Sequence, residues 1–263
     1  LADIVKHLGV TIYENTPANE IAPKTVRTPG GTIRANNVIV ATEGFTSRIP
    51  QLRRNVAPLH SLVIATEPLS ADQLSQAGIY SRTAFNDMRN MRIYAQQTID
   101  NRIVFGGRGA PYNFASKIAA DFERNLAIHE KIAATMLEFF PSLEGVQITH
   151  RWGGALGVPR DWHPSVTHNR STGMGWAGSY VGDGVTTSNL AARILRDQIL
   201  GIDSPESRLP IANHASPRWE PEPLRWIGIN AGLRAASLGD TEEKLTGSPS
   251  RIVKTLEALT GAH

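Results

Sequence analysis

The chain has 263 residues, of which 41% are hydrophobic and 19% charged, a composition typical of a globular protein with one large or two ordinary domains. The net charge is +3 and the basic residues are scattered, which gives little support to nucleic-acid binding. There are no cysteines, which excludes disulfides and cysteine-bound zinc. No apolar run is long enough to cross a membrane and no signal peptide is recognisable, so a cytoplasmic location is expected.

The first forty residues predict part of an α/β fold. Residues 1–9 are typical of the middle of a helix that ends in a glycine cap, so the sequence is expected to begin inside a structured region. Residues 10–14 predict a short strand, and residues 26–34 predict a hairpin around a Pro-Gly-Gly turn. Residues 38–41 predict a strand that is buried on both faces, as in a parallel sheet. This order of elements resembles the back half of a dinucleotide-binding fold.

After residue 60 the pattern changes to short strands and turns. Residues 61–66, 91–96 and 102–107 predict strands, and residues 71–77 predict a short helix. Ser116 is predicted to cap a long helix that continues to Phe140. Its buried side is expected to carry Phe122, Leu126, Ile132, Met136 and Phe140. With a return strand at residues 148–152, this region is interpreted as an antiparallel domain inserted into the first one.

Residues 174–200 combine a strand, a glycine-rich turn and a helix. Gly178, Gly182 and Gly184 allow backbone N–H groups to approach a ligand closely, and the helix start behind them is partly positive. The helix carries one apolar stripe, formed by Leu190, Ala191, Ile194, Leu195 and Ile199. Such a turn suits an anion or a ring that must carry negative charge, although a tight connection without a ligand explains the glycines equally well.

The last sixty residues predict a C-terminal extension. Residues 218–223 are rich in proline and predict an extended wrap on the surface. Residues 250–259 predict a final helix.

Three motifs resemble the FAD-dependent oxidoreductases of the D-amino-acid oxidase class, which includes glycine oxidase, sarcosine oxidase and γ-glutamylputrescine oxidoreductase. Residues 38–44 resemble the family strand that ends in Ala-Thr-Gly or Ala-Ala-Gly beside the dinucleotide. Residues 94–108 resemble the strand pair of the substrate domain in the amine-oxidising members. Residues 151–154 and 180–185 resemble the Trp-x-Gly and Tyr-Ser-Gly-His-Gly elements at the flavin ring. The resemblance covers residues 1–200.

The resemblance implies a binding site for FAD. Its cofactor-binding residues would be Ala18, Ala41, Thr42, Glu43, Gly44, Trp152, Gly153, Gly178, Tyr180, Gly182, Asp183, Gly184, Val185 and Thr186. Backbone N–H groups of residues 182–185 and the following helix dipole would stabilise negative charge on the reduced flavin. Relatives often carry His where this chain has Asp183. We interpret Asp183 as a helix cap, because a carboxylate beside an anionic ring would be unfavourable.

The sequence departs from the family at the dinucleotide, because the family's first βαβ unit, whose Gly-x-Gly-x-x-Gly turn holds the pyrophosphate, is missing from it. Tight FAD binding by this chain alone is therefore not expected. The chain is interpreted as a fragment of a longer flavoenzyme, as a subunit whose partner chain supplies the missing half, or as the product of a truncated gene.

The resemblance also implies a substrate pocket that includes Leu156, Tyr180 and Arg108. Amino-acid-oxidising relatives place an Arg near the position of Leu156 to hold the substrate carboxylate, so an amine or polyamine is favoured over a free α-amino acid. Residues 160–163 could line this pocket or be solvated loop residues. No catalytic side chain is predicted, because the flavin carries the hydride step.

Two other classes of site receive little support. His150, His163 and His168 are close in sequence but lack the i, i+4 spacing of a helical metal site, so no metal is predicted. Ser179 and Ser188 lack the setting of a hydrolase nucleophile.

The sequence thus predicts an α/β (α+β) protein: the rear part of an FAD-binding Rossmann-like domain with an inserted antiparallel substrate domain. The expected divisions are 1–58 and 149–203 for the FAD-binding domain, 59–148 for the substrate domain and 204–263 for the extension. The predicted function is oxidation of an amine's C–N bond to an imine, with hydride transfer to FAD. The alternative is a non-catalytic remnant, or a subunit that needs a partner chain. Neither nucleic acid nor a membrane span is expected.

Overall fold

The computed structural model describes residues 1–107, 109 and 111–260. The helices are α1 (Ala2–His7), α2 (Ala71–Gln76), α3 (Ala120–Glu123), α4 (Leu126–Phe139), α5 (Gly184–Leu200), α6 (Leu224–Thr246) and α7 (Arg251–Thr260). The strands are β1 (Glu20–Ala22), β2 (Thr25–Thr28), β3 (Gly31–Arg34), β4 (Val38–Val40), β5 (Ala57–Thr66), β6 (Ala84–Asn86), β7 (Ile93–Gln97), β8 (Ile103–Gly107), β9 (Ile148–Val158), β10 (Ser165–Asn169) and β11 (Met174–Gly178). Short 3-10 helices lie at Glu43–Arg48, Phe114–Ser116, Pro141–Leu143 and Glu206–Arg208.

The chain forms two compact units, each made of several segments. The smaller unit comprises residues 1–41, 165–178 and 185–214, and the larger comprises residues 42–164, 179–184 and the chain from Ala215. The division into domains at residues 58, 148 and 203 stays a prediction. No described helix combines the length and the apolar character needed to cross a lipid bilayer.

The smaller unit contains two three-stranded sheets. β1, β2 and β3 form an antiparallel sheet that includes the predicted hairpin, and β10, β11 and β4 form the other. β4 runs parallel to β11, as expected. Val38 and Val40 are buried but Ile39 is 37% exposed, so the prediction that this strand is buried on both faces is wrong.

Helix α5 carries the predicted apolar stripe. Ala191, Ile194 and Leu195 are buried, and Leu190 and Ile199 are half-buried. The helix packs closely on β11 at Gly175, where an added Cβ would lie 3.3 Å from Leu195 Cδ1. The prediction of a strand at residues 10–14 is wrong: they are exposed, and no described strand pairs with them, so their backbone gains no sheet hydrogen bonds.

The larger unit is built on a five-stranded antiparallel sheet with the order β6-β7-β8-β5-β9. Strand β5 pairs with both β8 and β9, and all ten of its residues are buried. The core of this unit includes Leu62, Ile64, Ile103 and Phe105, all fully buried. Helix α4 packs against them through Ile132 and Met136. Burial of each such side chain stabilises the fold by roughly 1.5–3 kcal/mol.

The predicted long helix is divided in the structure. α3 and α4 are separate, and the N-cap of α4 is Asn125, whose side chain accepts a hydrogen bond from the Ile128 N–H. Ser116 does not cap a helix. It is buried at a backbone φ of 57° with its hydroxyl 2.9 Å from that of Tyr112. Of the predicted buried side, Leu126 is 56% exposed, because the break changes which face meets the sheet.

The C-terminal region is packed into the larger unit rather than wrapped on its surface. Trp219 is 7% exposed, and its indole N–H donates to the Val158 carbonyl oxygen at 2.8 Å. Asp240 of α6 accepts hydrogen bonds from the backbone N–H groups of Asn90 (2.8 Å) and Met91 (3.1 Å), between β6 and β7. The surface wrap predicted for residues 218–223 is therefore wrong at Trp219, while the final helix is confirmed as α7.

Candidate flavin- and substrate-binding site

A strained turn links β11 to α5. Ser179 and Val181 adopt φ values of 67° and 53°, which non-glycine residues rarely take, and Gly182 lies at 107°. Each strained non-glycine residue costs on the order of 1–3 kcal/mol and persists only where its surroundings hold it. Here Val181 is 8% exposed in an apolar cluster with Leu59 and Val158, and this packing holds the turn.

The Glu43 carboxylate holds the same turn from the start of the 3-10 helix Glu43–Arg48. Its Oε1 accepts a hydrogen bond from the Tyr180 N–H at 2.9 Å. Its Oε2 is shielded from solvent and makes no hydrogen bond in the described part of the chain. Glu43 itself adopts a φ of 43°, so this turn and the residue that anchors it are both strained.

Burial sets the ionisation of this pair. Burial raises the pKa of the Glu43 carboxyl above its usual value, and the backbone N–H groups of Tyr180, Ser179 and Gly157 oppose that shift. Burial also raises the pKa of the Tyr180 phenol, and the Glu43 charge adds to the effect. Tyr180 is therefore neutral at physiological pH and keeps its hydroxyl proton.

Two glycines let the 3-10 helix lie directly against β9. A Cβ added to Gly44 would lie 2.9 Å from the Ala155 carbonyl carbon and closer still to its oxygen. A Cβ added to Gly157 would lie 2.8 Å from the Glu43 carbonyl carbon. Gly44 was predicted from the sequence, whereas Gly157 was missed, because the requirement for glycine there comes from the approach of Glu43, which is distant in sequence.

The start of α5 is open to solvent. Gly182, Asp183 and Thr186 are exposed, and Val185 is 93% exposed. The Asp183 N–H donates to the Tyr180 carbonyl oxygen at 3.0 Å, so this N–H belongs to the turn. Because the first N–H groups of a helix have no partner within it, an exposed helix start of this kind suits an anionic ligand.

The remaining predicted cofactor residues lie on several elements. In the smaller unit Ala18 and Ala41 are exposed, and Gly178 is buried against the Trp176 ring. In the larger unit the Thr42 and Thr46 hydroxyl oxygens are 2.8 Å apart. Trp152 of β9 is 42% exposed, so its side chain is not part of the hydrophobic core. A Cβ on the neighbouring Gly153 would lie 3.0 Å from the Ser61 carbonyl oxygen.

Leu156, a predicted substrate residue, borders a recess of about 320 Å³ that is partly open to solvent. The recess is lined by Leu59, His60, Gly109, Leu156, Val158, Trp162, Val181 and Leu233. Tyr180 precedes one lining residue, and Arg108 lies outside the described residues. Sequence reasoning missed His60, since a single histidine in an apolar run carries no motif. Among the described residues, no group of three or more His, Asp or Glu side chains could bind a metal.

The model of the family described as FAD dependent oxidoreductase (DAO) matches residues 1–198. That match covers most of the chain and includes the residues that follow β4, strand β9 and the Ser179–Gly184 turn. The chain belongs to this family of FAD-dependent oxidoreductases.

Individual relatives agree with this assignment. The Rhizobium meliloti protein OrdL, an oxidoreductase by name, is 30% identical over 73% of this chain and 43% of its own length. The gamma-glutamylputrescine oxidoreductase of Escherichia coli is 30% identical over 76% of this chain and 46% of its own length. The chain therefore spans less than half of each. The glycine oxidase structure from Geobacillus kaustophilus shares the fold, with a TM-score of 0.61 and 18% identity over 79% of this chain and 54% of that one.

Proposed function

We propose that the whole protein oxidises the C–N bond of an amine to an imine with FAD as electron acceptor, and that the turn from Ser179 to Thr186 binds the flavin. When bound, FAD supplies the two-electron acceptor that takes a hydride from the carbon next to nitrogen. Family membership and the similarity to a gamma-glutamylputrescine oxidoreductase support the reaction class.

The observation that carries the proposal is the strained turn anchored by Glu43. Strain of this kind in an ordered turn is typical of ligand sites, where the backbone must present groups in a fixed direction. The turn leads into α5, a helix of 17 residues whose start is partly positive. Open N–H groups at a positive helix start fit the electron-rich edge of a flavin.

Individual residues have distinct roles in this proposal. Val185 and Thr186 would donate backbone N–H groups to the ligand, and Gly182, at a φ of 107°, would allow the chain to turn towards it. Glu43 would hold the turn through the Tyr180 N–H. Asp183, which is exposed, would act as a cap of α5 and keep its carboxylate in solvent.

The apolar recess supports an amine rather than an α-amino acid as substrate. None of the described residues that line it is Arg or Lys. A substrate carboxylate would therefore lack the charged, bidentate partner that holds it in amino-acid-oxidising relatives. Leu156 would contact the carbon chain of the amine instead.

A second candidate is a subunit that binds FAD only together with another chain carrying the pyrophosphate-binding half. It is favoured by one observation: the Gly-x-Gly-x-x-Gly string at residues 173–178 runs along strand β11 (Met174–Gly178) and does not form the turn between a strand and a helix that cradles the pyrophosphate in dinucleotide-binding folds.

Retention of FAD by the purified chain tests the binding proposal. Because tight binding by this chain alone is not expected, the chain is passed over a gel-filtration column equilibrated with FAD, and the flavin absorbance that elutes with the protein is measured. We expect absorbance with the wild type and at least about tenfold weaker affinity, or ~1.4 kcal/mol, for Gly182→Ala. Gly247→Ala is the matched control, because Gly247 also has a positive φ (65°) and has open space where a Cβ would lie. Equal affinity of the two variants would refute the role of the turn, and a colourless wild type would support the two-chain candidate.

Flavin bleaching tests the reaction. Under anaerobic conditions, n-butylamine should bleach the bound flavin, whereas glycine should not. Bleaching by glycine alone would show that the substrate is an α-amino acid and that the inference from Leu156 is wrong.

A further inference from the structure

His60 is a buried histidine that has no hydrogen-bond partner among the described residues. It lies in β5 with 3% of its surface exposed, and neither ring nitrogen makes a hydrogen bond in the described part of the chain. Its ring packs edge-on against Phe122, with the centroids 5.8 Å apart. An unsatisfied buried polar group costs roughly 1–3 kcal/mol, which a ligand that bonds to it would recover. Such a residue therefore indicates a binding site.

The imidazole borders two recesses. One is the recess of about 320 Å³, whose walls include Leu59, Leu156, Val158, Val181 and Leu233. The other, of about 240 Å³, lies on the side of Phe122 and Ile128. The first volume includes space at the open mouth of the recess, so only a small ligand fits.

Charge near His60 favours a cation. Burial lowers the pKa of the His60 imidazole below its usual value, and the Glu123 carboxylate opposes this shift. The ring is therefore neutral at physiological pH, with one nitrogen free to accept a hydrogen bond. The Glu123 carboxylate supplies negative charge to the imidazole, while the apolar walls of the first recess offer nothing to a second charged group on the ligand.

We propose that this recess binds a small alkylammonium ion, with His60 accepting an N–H from its nitrogen and Leu233 of α6 limiting the length of its alkyl chain. Its role as the substrate site rests on the proposed amine oxidation, but the binding itself needs neither FAD nor turnover. Leu233 lies beyond residue 198, where the family match ends. The extension would thus contribute a wall that the matched segment does not supply.

Titration of the chain with n-butylammonium chloride, followed by NMR of the histidine ring C–H signals, tests the proposal. The His60 signal is assigned by its loss in His60→Gln. We expect saturable shifts of this signal in the wild type and none with ammonium chloride, which lacks the alkyl chain, or with sodium butyrate, which has the opposite charge. Shifts by ammonium chloride or butyrate as large as those by butylammonium would overturn the proposal.

Variants separate the two contacts, with affinity measured by calorimetry. His60→Leu removes the acceptor and Leu233→Trp fills the recess, so each should weaken butylammonium binding at least about tenfold, or ~1.4 kcal/mol. His60→Gln keeps an acceptor and should bind within a few fold of the wild type. Leu238→Trp is the matched control, because Leu238 lies on the same helix and is 59% exposed. If His60→Leu does not fold, Leu233→Trp and Leu238→Trp still decide the matter.

The outcomes also separate this proposal from the proposed function. A wild type that does not bind butylammonium, or that binds it as tightly after Leu233→Trp, overturns the recess as the site and leaves amine oxidation open. Binding without flavin bleaching by any amine refutes the reaction and leaves the recess in place.

Discussion

Substitution of Gly44 by alanine is expected to destabilise the larger unit, because the added methyl group meets backbone atoms. The Cβ would lie 2.9 Å from the Ala155 carbonyl carbon, so either the 3-10 helix or β9 must move. Overpacking of this kind costs about 1–3 kcal/mol, and contact with the Ala155 backbone, which moves less easily than a flexible side chain, favours the upper half of that range. For a unit of this size, ~2–3 kcal/mol corresponds to a Tm lowered by roughly 4–10 °C.

Thermal unfolding followed by circular dichroism measures this effect, with Gly154→Ala as the matched control. Gly154 lies in β9 beside Ala155, and an added Cβ there has open space within 4 Å. The control should remain within about 0.5 kcal/mol of the wild type. Equal Tm values for the two variants would show that the backbone contact between the 3-10 helix and β9 does not constrain the fold.

Three further predictions concern the same unit. Glu43→Gln should stabilise the protein at pH 7, because the raised pKa of Glu43 means that folding disfavours its ionised form. The difference in unfolding free energy between variant and wild type, measured by urea unfolding, should vanish below the usual carboxyl pKa of 4.5. Trp219→Ala should cost about 3–5 kcal/mol of unfolding free energy, whereas Trp226→Ala, at a 41% exposed position, should cost far less; similar losses would contradict the buried role of Trp219. Tyr112→Phe should cost about 1–3 kcal/mol by removing a hydrogen bond to Glu222. Because the pKa of Tyr112 is raised to about 12, the stability it provides should fall as the pH rises from 10 towards that value, and a pH-independent difference between variant and wild type would argue against it.

The sequence predicted those elements whose pattern is local. The hairpin β2–β3, the strand pair β7–β8 and helix α5 are confirmed because alternation, turn residues and a 3.6-residue stripe are encoded within each segment. The family was also recognised, because its motifs are short and ordered along the chain.

Features that depend on distant partners were missed. Helix α6 contains Gly228, Gly232 and Gly239, which interrupt its apolar pattern, and its stability comes from packing. Glycine is required at position 239 because α7 packs closely there, and an added Cβ would meet the Val253 side chain. The Glu43 anchor and the unpaired His60 were likewise unpredictable, since each is defined by residues far away in sequence.

The hydrogen bonds that the Asp240 carboxylate accepts from the backbone of Asn90 and Met91 have a consequence for folding during synthesis. The backbone N–H groups of Asn90 and Met91 find their acceptor on a helix that follows every strand of the sheet along the chain. During synthesis on the ribosome, the connection between β6 and β7 therefore remains without this partner until α6 has emerged. The Val158 carbonyl oxygen, which accepts the Trp219 indole N–H in the complete chain, likewise lacks this partner if Trp219 has not yet emerged. We expect a nascent chain that stops before α6 to be cleaved by proteases near residue 90, where the complete chain is protected.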